Sequence, residues 1–171
     1  MAGRAQRRVS SQAGDAQPGD CVLIIEGRFY EAISDELLNG AMTELEAAGV
    51  SFDRVTVPGA LEIPQVLAQA VASNAISPLA RGARYCGAVA LGCVIRGETS
   101  HYDIVCNNAN HWLMEVAIRA QVPVGNAILT VDTEEQAMAR AKGGRDGKGA
   151  DAVRACLRLV EIARQLRGQG A

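Results

Sequence analysis

The sequence predicts one α/β domain in which helices cover both faces of a four-stranded parallel sheet. Short apolar runs alternate four times with longer segments whose apolar residues recur every three or four positions. The runs at residues 21–25 and 86–95 are unbroken, as expected for strands that are buried on both faces. Regular alternation of strand and helix favours a parallel sheet with right-handed crossover connections.

Turn and capping residues mark the boundaries of these elements. Gly49 stops the first helix, and Pro64 occupies the first turn of the second, where its missing N–H leaves no hydrogen bond unmade. Residues 133–136 match a capping box that opens a short helix, and the glycine-rich residues 143–149 interrupt that helix. We expect strands at residues 21–25, 52–57, 86–95 and 123–130, and longer helices at residues 31–48, 61–77, 103–120 and 150–166.

The length and composition fit one globular domain. The chain has 171 residues, of which 49% are hydrophobic, and neither a linker nor an internal repeat divides it. We predict a disordered tail at residues 1–18, which are rich in Arg, Gln, Ser and Gly and lack the apolar stretch of a secretory signal. Residues 19–171 are expected to form the domain.

Charge and cysteine usage argue against several classes of partner. The net charge of −2 comes from mixed acidic and basic residues, so no nucleic-acid-binding surface is expected, and no apolar run reaches the roughly 20 residues that span a membrane. The five cysteines form no CxxC pair, which indicates reduced thiols in a cytoplasmic protein. His101 and His111 lack metal-ligand spacing to any cysteine, so no metal is expected.

The polar loop that follows the third strand is the first candidate site. Gly97, Thr99 and Ser100 offer backbone access, hydroxyl groups and free amides before the next helix, whose positive dipole end favours an anion. His101 follows them, and histidine is the side chain best suited to general acid–base catalysis near neutrality. Because ligands bind where parallel strands end, we predict a phosphate cradle beside a proton carrier. An ordinary polar loop with a solvated histidine is the alternative.

Four other residues could contact a ligand, and each has a simpler explanation. Phe29, just beyond the first strand, could stack on a flat heterocycle or could close the core. Glu62 near a helix N-terminus is favoured by the dipole whether or not it binds anything. Lys148 could pair with a phosphate or carboxylate, and Arg140 lies on the short helix, but such residues are usually just solvated. The loop around Lys148 lacks the glycine and hydroxyl residues that a nucleotide-binding P-loop requires.

Two stretches of the chain resemble a known family. Residues 95–103 (IRGETSHYD) and 57–64 (VPGALEIP) are similar in sequence and spacing to motifs of the lumazine synthases, which act at the penultimate step of riboflavin biosynthesis. Other matching positions, in the same order, are Phe29, Leu129-Thr130, Glu134–Ala137, Arg140 and Lys148-Gly149. The resemblance covers residues 21–166 and implies a flavodoxin-like, three-layer α/β/α fold.

The resemblance also implies a reaction and a set of site residues. Members of that family condense 5-amino-6-(D-ribitylamino)uracil with 3,4-dihydroxy-2-butanone 4-phosphate, and form 6,7-dimethyl-8-ribityllumazine, phosphate and water without a cofactor or a metal. By this resemblance His101 would be the proton carrier, Arg140 would clamp the phosphate, and Glu98 and Thr99 would bind it mainly through amides. The remaining implied substrate-binding residues are Phe29, Ala60, Leu61, Glu62, Cys93, Val94, Ile95, Asn126 and Lys148.

The expected partners are therefore small-molecule substrates and further copies of the chain. The resemblance implies a homopentamer, and some family members build shells of sixty subunits. Three positions depart from the commonest family pattern, since Tyr30 replaces a frequent Asn, Asn126 a frequent Phe, and Gly147 the usual Asn. A non-catalytic member that binds a flavin or lumazine, or one with only a structural role in a shell, is the alternative.

Overall fold

The computed structural model describes residue 17, residues 20–77 and residues 82–168. The tail that the sequence predicts at residues 1–18 lies outside this range except for Gln17. The strands and α-helices, in chain order, are β1 (Cys21–Gly27), α1 (Glu31–Ala48), β2 (Ser51–Val57), α2 (Ile63–Ala72), β3 (Gly87–Ile95), α3 (His101–Ala120), β4 (Val124–Val131), α4 (Glu134–Ala141) and α5 (Lys148–Gly168). Short 3₁₀ turns at Ala60–Glu62 and Gly144–Asp146 precede α2 and α5.

The strands form one parallel sheet in the order β2-β1-β3-β4. β3 is buried along almost its whole length because it lies inside the sheet with both faces covered. The connection from β1 leads to β2 on one side, whereas β3 pairs with β1 on the other side, so the strand order reverses between β1 and β3. In open α/β sheets this reversal, outside the carboxyl ends of the strands, is where ligands bind.

Helices cover both faces of the sheet, which confirms the predicted three-layer arrangement. On one face α1 and α5 pack through a core that includes Ile33, Leu37 and Val153, and α4 joins the same core. On the other face α2 and α3 pack through a second core that includes Leu67 and Leu113. Each helix buries one apolar stripe, as the spacing of three and four predicts.

The main deviation from the predicted boundaries is the end of α2. This helix ends at Ala72, whereas the sequence pattern extends to residue 77. Asn74 adopts a left-handed conformation (φ 56°). Its N–H then bonds to the carbonyl of Val71, and the N–H of Ala75 bonds to that of Ala70 (both 3.0 Å). These two bonds form a Schellman motif, which terminates a helix and tolerates asparagine at the left-handed position.

The capping box predicted for α4 is formed in part. Thr133 Oγ1 accepts a hydrogen bond from the N–H of Gln136 (3.2 Å), as expected for an N-cap. The reciprocal bond is displaced by one residue, because Gln136 Oε1 accepts from the N–H of Asp132 (2.9 Å) and not from that of Thr133. The helix still begins at Glu134, directly after the predicted cap.

Helices α1 and α5 approach each other so closely that glycine is required between them. A Cβ atom at Gly149 would lie 1.9 Å from the carbonyl oxygen of Leu37. The buried carboxylate of Glu44 in α1 also accepts hydrogen bonds from Arg145 (2.8 Å) and Arg154 (2.9 Å). Backbone contact and the ion pair between Glu44 and Arg154 therefore hold the same two helices together.

We predict that Gly149→Ala destabilises the protein by about 3 kcal/mol, because the new methyl group meets backbone and not a movable side chain. The matched control is Gly168→Ala in the same helix, where a Cβ atom meets nothing within 4 Å. That control should stay within about 1 kcal/mol of the parent protein. Urea unfolding at one protein concentration measures both variants. Equal midpoints for the two variants would contradict the close approach at Gly149.

Candidate active site

A cleft of about 260 Å³ lies at the carboxyl ends of β1 and β3, where the strand order reverses. Its walls come from the loops after β1, β2 and β3 and from the first turns of α3. The lining residues are Phe29, Tyr30, Gly59, Ala60, Leu61, Glu62, Cys93, Val94, Ile95, Gly97, Thr99, His101, Tyr102 and Val105.

Most of the residues that the sequence singled out lie together in this cleft. They are Phe29, Ala60, Leu61, Glu62, Cys93, Val94, Ile95, Thr99 and His101. Glu98 is an exposed residue of the same loop but is not part of the lining. Asn126, Arg140 and Lys148 lie elsewhere on the chain's surface.

Two glycines allow the loops after β1 and β2 to meet. A Cβ atom at Gly27 would lie 2.8 Å from the carbonyl carbon and oxygen of Gly59, so no larger residue fits there without a shift of backbone. The N–H of Gly59 in turn donates to Glu62 Oε2 (2.9 Å), which fixes this carboxylate at the start of α2. Glu62 therefore occupies a defined position in the cleft wall.

A buried carboxylate anchors the end of β1 beside β2. Glu26 is 1% exposed and accepts hydrogen bonds from Arg28 (3.2 Å), from Thr56 (3.0 Å) and from Arg54 Nε. Arg28 also pairs with Asp35 in α1 (2.6 Å). Because a buried charge is costly unless it is paired and hydrogen-bonded, this network holds the strand end in one position.

The aromatic ring of Phe29 is available to a ligand. Its side chain follows the anchored Arg28 and is 72% exposed, so the alternative that Phe29 closes the core is wrong. The ring contacts Tyr30 edge to face, with 5.0 Å between the centroids. A rigid, exposed ring at the cleft is suited to stack on a flat heterocycle.

The loop at residues 97–100 presents free backbone donors. The amides of these residues have no acceptor within the described part of the chain. Thr99 Oγ1 accepts a weak hydrogen bond from the N–H of His101 (3.4 Å), the first residue of α3. Free amides at a helix N-terminus attract an anion. The exposed His101 side chain lies beside them in the cleft lining.

Three residues of β3 line the cleft without adding a charge: Cys93, Val94 and Ile95. Burial raises the pKa of the Cys93 thiol to about 11, so this thiol is protonated at neutral pH and is not an activated nucleophile. Burial likewise raises the pKa of the Tyr102 hydroxyl. Sequence reasoning assigned no role to Tyr102 or Val105, although their spacing of three residues places both on one side of α3.

The three predicted residues outside the cleft are engaged locally. Asn126 in β4 donates to Asn110 Oδ1 (2.8 Å) and accepts from the N–H of Ile128 (2.9 Å). Arg140 donates to the carbonyl of Gln136 in its own helix (3.0 Å). Lys148 pairs with Asp151 one turn further along α5 (2.7 Å). Arg140 and Lys148 therefore bond within their own helices, and Asn126 bonds within β4 and to α3.

The described residues contain no candidate for a metal site or for a membrane span. Among the described residues, no group of three or more His, Cys, Asp or Glu side chains is placed to hold a metal ion. Within the same part of the chain, no helix is both long enough and apolar enough to cross a membrane.

Comparison with known proteins identifies the family. The model of the 6,7-dimethyl-8-ribityllumazine synthase family matches residues 20–164. A 6,7-dimethyl-8-ribityllumazine synthase 1 of Rhodopseudomonas palustris is 51% identical over 148 residues, which cover 86% of this chain and 88% of that protein. The corresponding enzyme of Azorhizobium caulinodans is 48% identical over 159 residues, covering 93% and 96%. Since a family model and close relatives agree over most of its length, the chain belongs to the 6,7-dimethyl-8-ribityllumazine synthase family.

Proposed function

We propose that this protein condenses 5-amino-6-(D-ribitylamino)uracil with 3,4-dihydroxy-2-butanone 4-phosphate to form 6,7-dimethyl-8-ribityllumazine. One observation carries the proposal: a single cleft combines the exposed ring of Phe29, the fixed carboxylate of Glu62, the free amides of Gly97 and Thr99 and the imidazole of His101. This condensation has to bring together a pyrimidine, a polyol chain, a phosphate and a proton carrier. Membership of the family supports the same reaction.

The pyrimidine substrate is assigned to the apolar part of the cleft. Its ring stacks on Phe29, and backbone groups of residues 60–61 and 93–95 bond to its polar edge. Glu62 accepts from the ribityl hydroxyls, since one of its oxygens is already held by Gly59 and the group is therefore preorganised. The neutral thiol of Cys93 contributes surface and not charge.

The phosphate substrate is assigned to the loop before α3. The amides of Glu98 and Thr99 bind the phosphate oxygens, and His101 moves protons. Imine formation and ring closure each expel water and phosphate elimination removes a proton, so all three steps need a proton carrier. Holding the two substrates in register can supply about 7–11 kcal/mol of barrier reduction, which suits an enzyme that requires neither cofactor nor metal.

We assign Arg140, Lys148 and Asn126 to the site of a neighbouring copy within a homopentamer. Arg140 lies seven residues beyond Thr133, about 10 Å along α4 at 1.5 Å per residue. α4 packs in the core on the α1 face of the sheet, away from α2 and α3. Head-to-tail contacts around a closed ring would bring these residues to the next cleft.

Exposed apolar residues on α3 support an assembly of several copies. Ile104, Trp112 and Ile118 are 54%, 51% and 70% exposed. Their spacing along the helix places them along one side, and large exposed apolar surfaces mark interaction sites. Light scattering separates a pentamer from a shell of sixty subunits.

The proposal also includes the cytoplasmic location that the cysteine pattern predicts.

The decisive test mixes purified protein with both substrates and follows lumazine absorbance. We expect turnover without added metal or cofactor, and His101→Ala should lower kcat by about 10²–10⁴-fold if proton transfer limits the rate. His111→Ala is the matched control, because it removes the other histidine from the same helix. Absence of turnover together with tight lumazine binding would indicate a non-catalytic carrier. Nearly full turnover by His101→Ala would show that another group moves the protons.

A second prediction separates backbone from side-chain binding of the phosphate. Glu98 is exposed and its carboxylate would repel a phosphate, so Glu98→Ala should change the apparent KM for the phosphate substrate by no more than a few-fold. Arg140→Ala should raise that KM strongly, because a guanidinium binds two phosphate oxygens at once. Steady-state kinetics at fixed pyrimidine concentration measures both. A large increase of this KM in Glu98→Ala with none in Arg140→Ala would make Glu98, and not Arg140, the side chain that binds the phosphate.

A third prediction tests whether sites are shared between subunits. Inactive His101→Ala and Arg140→Ala chains are co-refolded in equal amounts. Random mixing around a closed ring leaves roughly a quarter of the interfaces with both groups intact, so substantial activity should return. If each site lies within one chain, no mixed ring contains an intact site, and activity stays at the level of the separate variants. Each variant refolded alone is the control.

A further inference from the structure

Arg96, the first residue after β3, connects that strand end to the end of β4. Its backbone N–H donates to the carbonyl oxygen of Val131 (2.9 Å). Its side-chain Nε donates to Asp132 Oδ1 (3.0 Å), one residue beyond β4. The guanidinium is therefore held at a defined position next to the cleft.

The same guanidinium contacts the first turn of α3. Its carbon lies 4.1 Å from the centre of the Tyr102 ring, and its Nη1 lies 3.6 Å from Asp103 Oδ1. A planar cation over an aromatic ring at this distance makes a favourable cation–π contact. Tyr102 lines the cleft and directly follows His101 in the chain. Arg96 thus contacts the turn that carries the proposed proton carrier.

The loop between these two contacts has little internal support. Residues 97–100 make no backbone hydrogen bonds through their amides within the described chain, and a Cβ atom at Gly97 would meet nothing within 4 Å. Their shape consequently depends on how their two ends are held. Arg96 forms one end, and through Tyr102 and Asp103 it also contacts the other.

We propose that Arg96 is a positioning residue, whose guanidinium packs on Tyr102 between Asp103 and Asp132 and thereby orients the phosphate-binding loop and His101. This inference rests on the proposed function of the cleft. It assigns to Arg96 no contact with substrate.

The alternative is that Arg96 binds the substrate phosphate directly. The charges around it argue against this role. Two carboxylates, Asp103 and Asp132, lie within 3.6 Å of one guanidinium, so the group as a whole carries a net negative charge. Its Nε is already donating, and one face is covered by the Tyr102 ring. An anion gains less from such a guanidinium than from the free amides beside it.

The test compares Arg96→Met and Arg96→Lys with the parent enzyme. Misplacement of a catalytic group by about 1 Å costs roughly 10²-fold, so we expect Arg96→Met to lower kcat by that factor. Because Arg96 also orients the phosphate-binding loop, KM for the phosphate substrate should rise together with the loss of kcat, whereas KM for the pyrimidine substrate should stay within a few-fold. Arg96→Lys keeps the charge but loses the planar fork and should be impaired to a similar extent. Added methylguanidinium should restore part of the kcat of Arg96→Met, whereas methylammonium at the same ionic strength should not.

Several outcomes would overturn the proposal. An increase in KM for the phosphate substrate with unchanged kcat would make Arg96 a direct ligand. Full activity of Arg96→Lys would show that charge alone suffices. Absence of rescue by methylguanidinium, together with a large loss of thermal stability, would reduce Arg96 to a folding role. Asp132→Asn should share the kcat defect in milder form, and a lowered KM for the phosphate substrate in that variant would again indicate direct binding.

A control variant and a turnover-independent measurement separate this proposal from the proposed function. Arg119→Met removes an ion-paired arginine of α3, partnered by Glu115, and should leave kcat unchanged. Amide hydrogen exchange needs no turnover. The N–H groups of Asp103 and Ile104 bond to the Ser100 carbonyl, and they should exchange faster in Arg96→Met only. Unchanged exchange contradicts the positioning role, whereas an inactive parent enzyme contradicts the assigned reaction.

Discussion

The cleft depends on backbone contact between Gly27 and Gly59. A Cβ atom at Gly27 would lie 2.8 Å from the Gly59 carbonyl, so any side chain there would separate the turn that carries Phe29 from the turn that carries Glu62. The contact also requires the ends of β1 and β2 to keep a fixed position relative to each other. The buried Glu26 carboxylate meets that requirement, because its bonds to both strand ends would be costly to break.

Arginines near the cleft in the same chain are already neutralised. Arg28 pairs with Glu26 and Asp35, and Arg96 pairs with Asp103 and Asp132. The attraction for an anion that remains within one chain comes from the free amides before α3. A dianionic phosphate group is better balanced if a further guanidinium comes from outside this chain, which agrees with the assignment of Arg140 to a neighbouring copy.

Local patterns in the sequence predicted most of the fold. Apolar runs located the central strands, and Gly49 and Thr133 marked a helix end and a helix start that the structure confirms. The early end of α2 was missed because it depends on one residue, Asn74, adopting a left-handed conformation that periodicity does not report. The reversal of strand order between β1 and β3 depends on long-range pairing, which residue spacing alone does not determine.

The site was predicted less evenly than the fold. Motif resemblance located Glu62 and His101, and the structure places both in one cleft. Residue type alone left Phe29 open between stacking on a ligand and closing the core, and the exposed ring in the structure rules out the core role. Tyr102 was overlooked because its contact with Arg96 joins two residues across a loop. Arg140 lies outside the cleft of its own chain.

The side chain of Asn126 protects part of the exposed edge of β4, which is an edge strand of the sheet. β4 pairs only with β3 among the described strands, so its outer backbone groups face away from the sheet. Asn126 Oδ1 accepts the N–H of Ile128, which removes one donor that an incoming strand would need. Copies of this protein are therefore discouraged from joining sheet edge to sheet edge at β4, the route by which exposed strands seed aggregation.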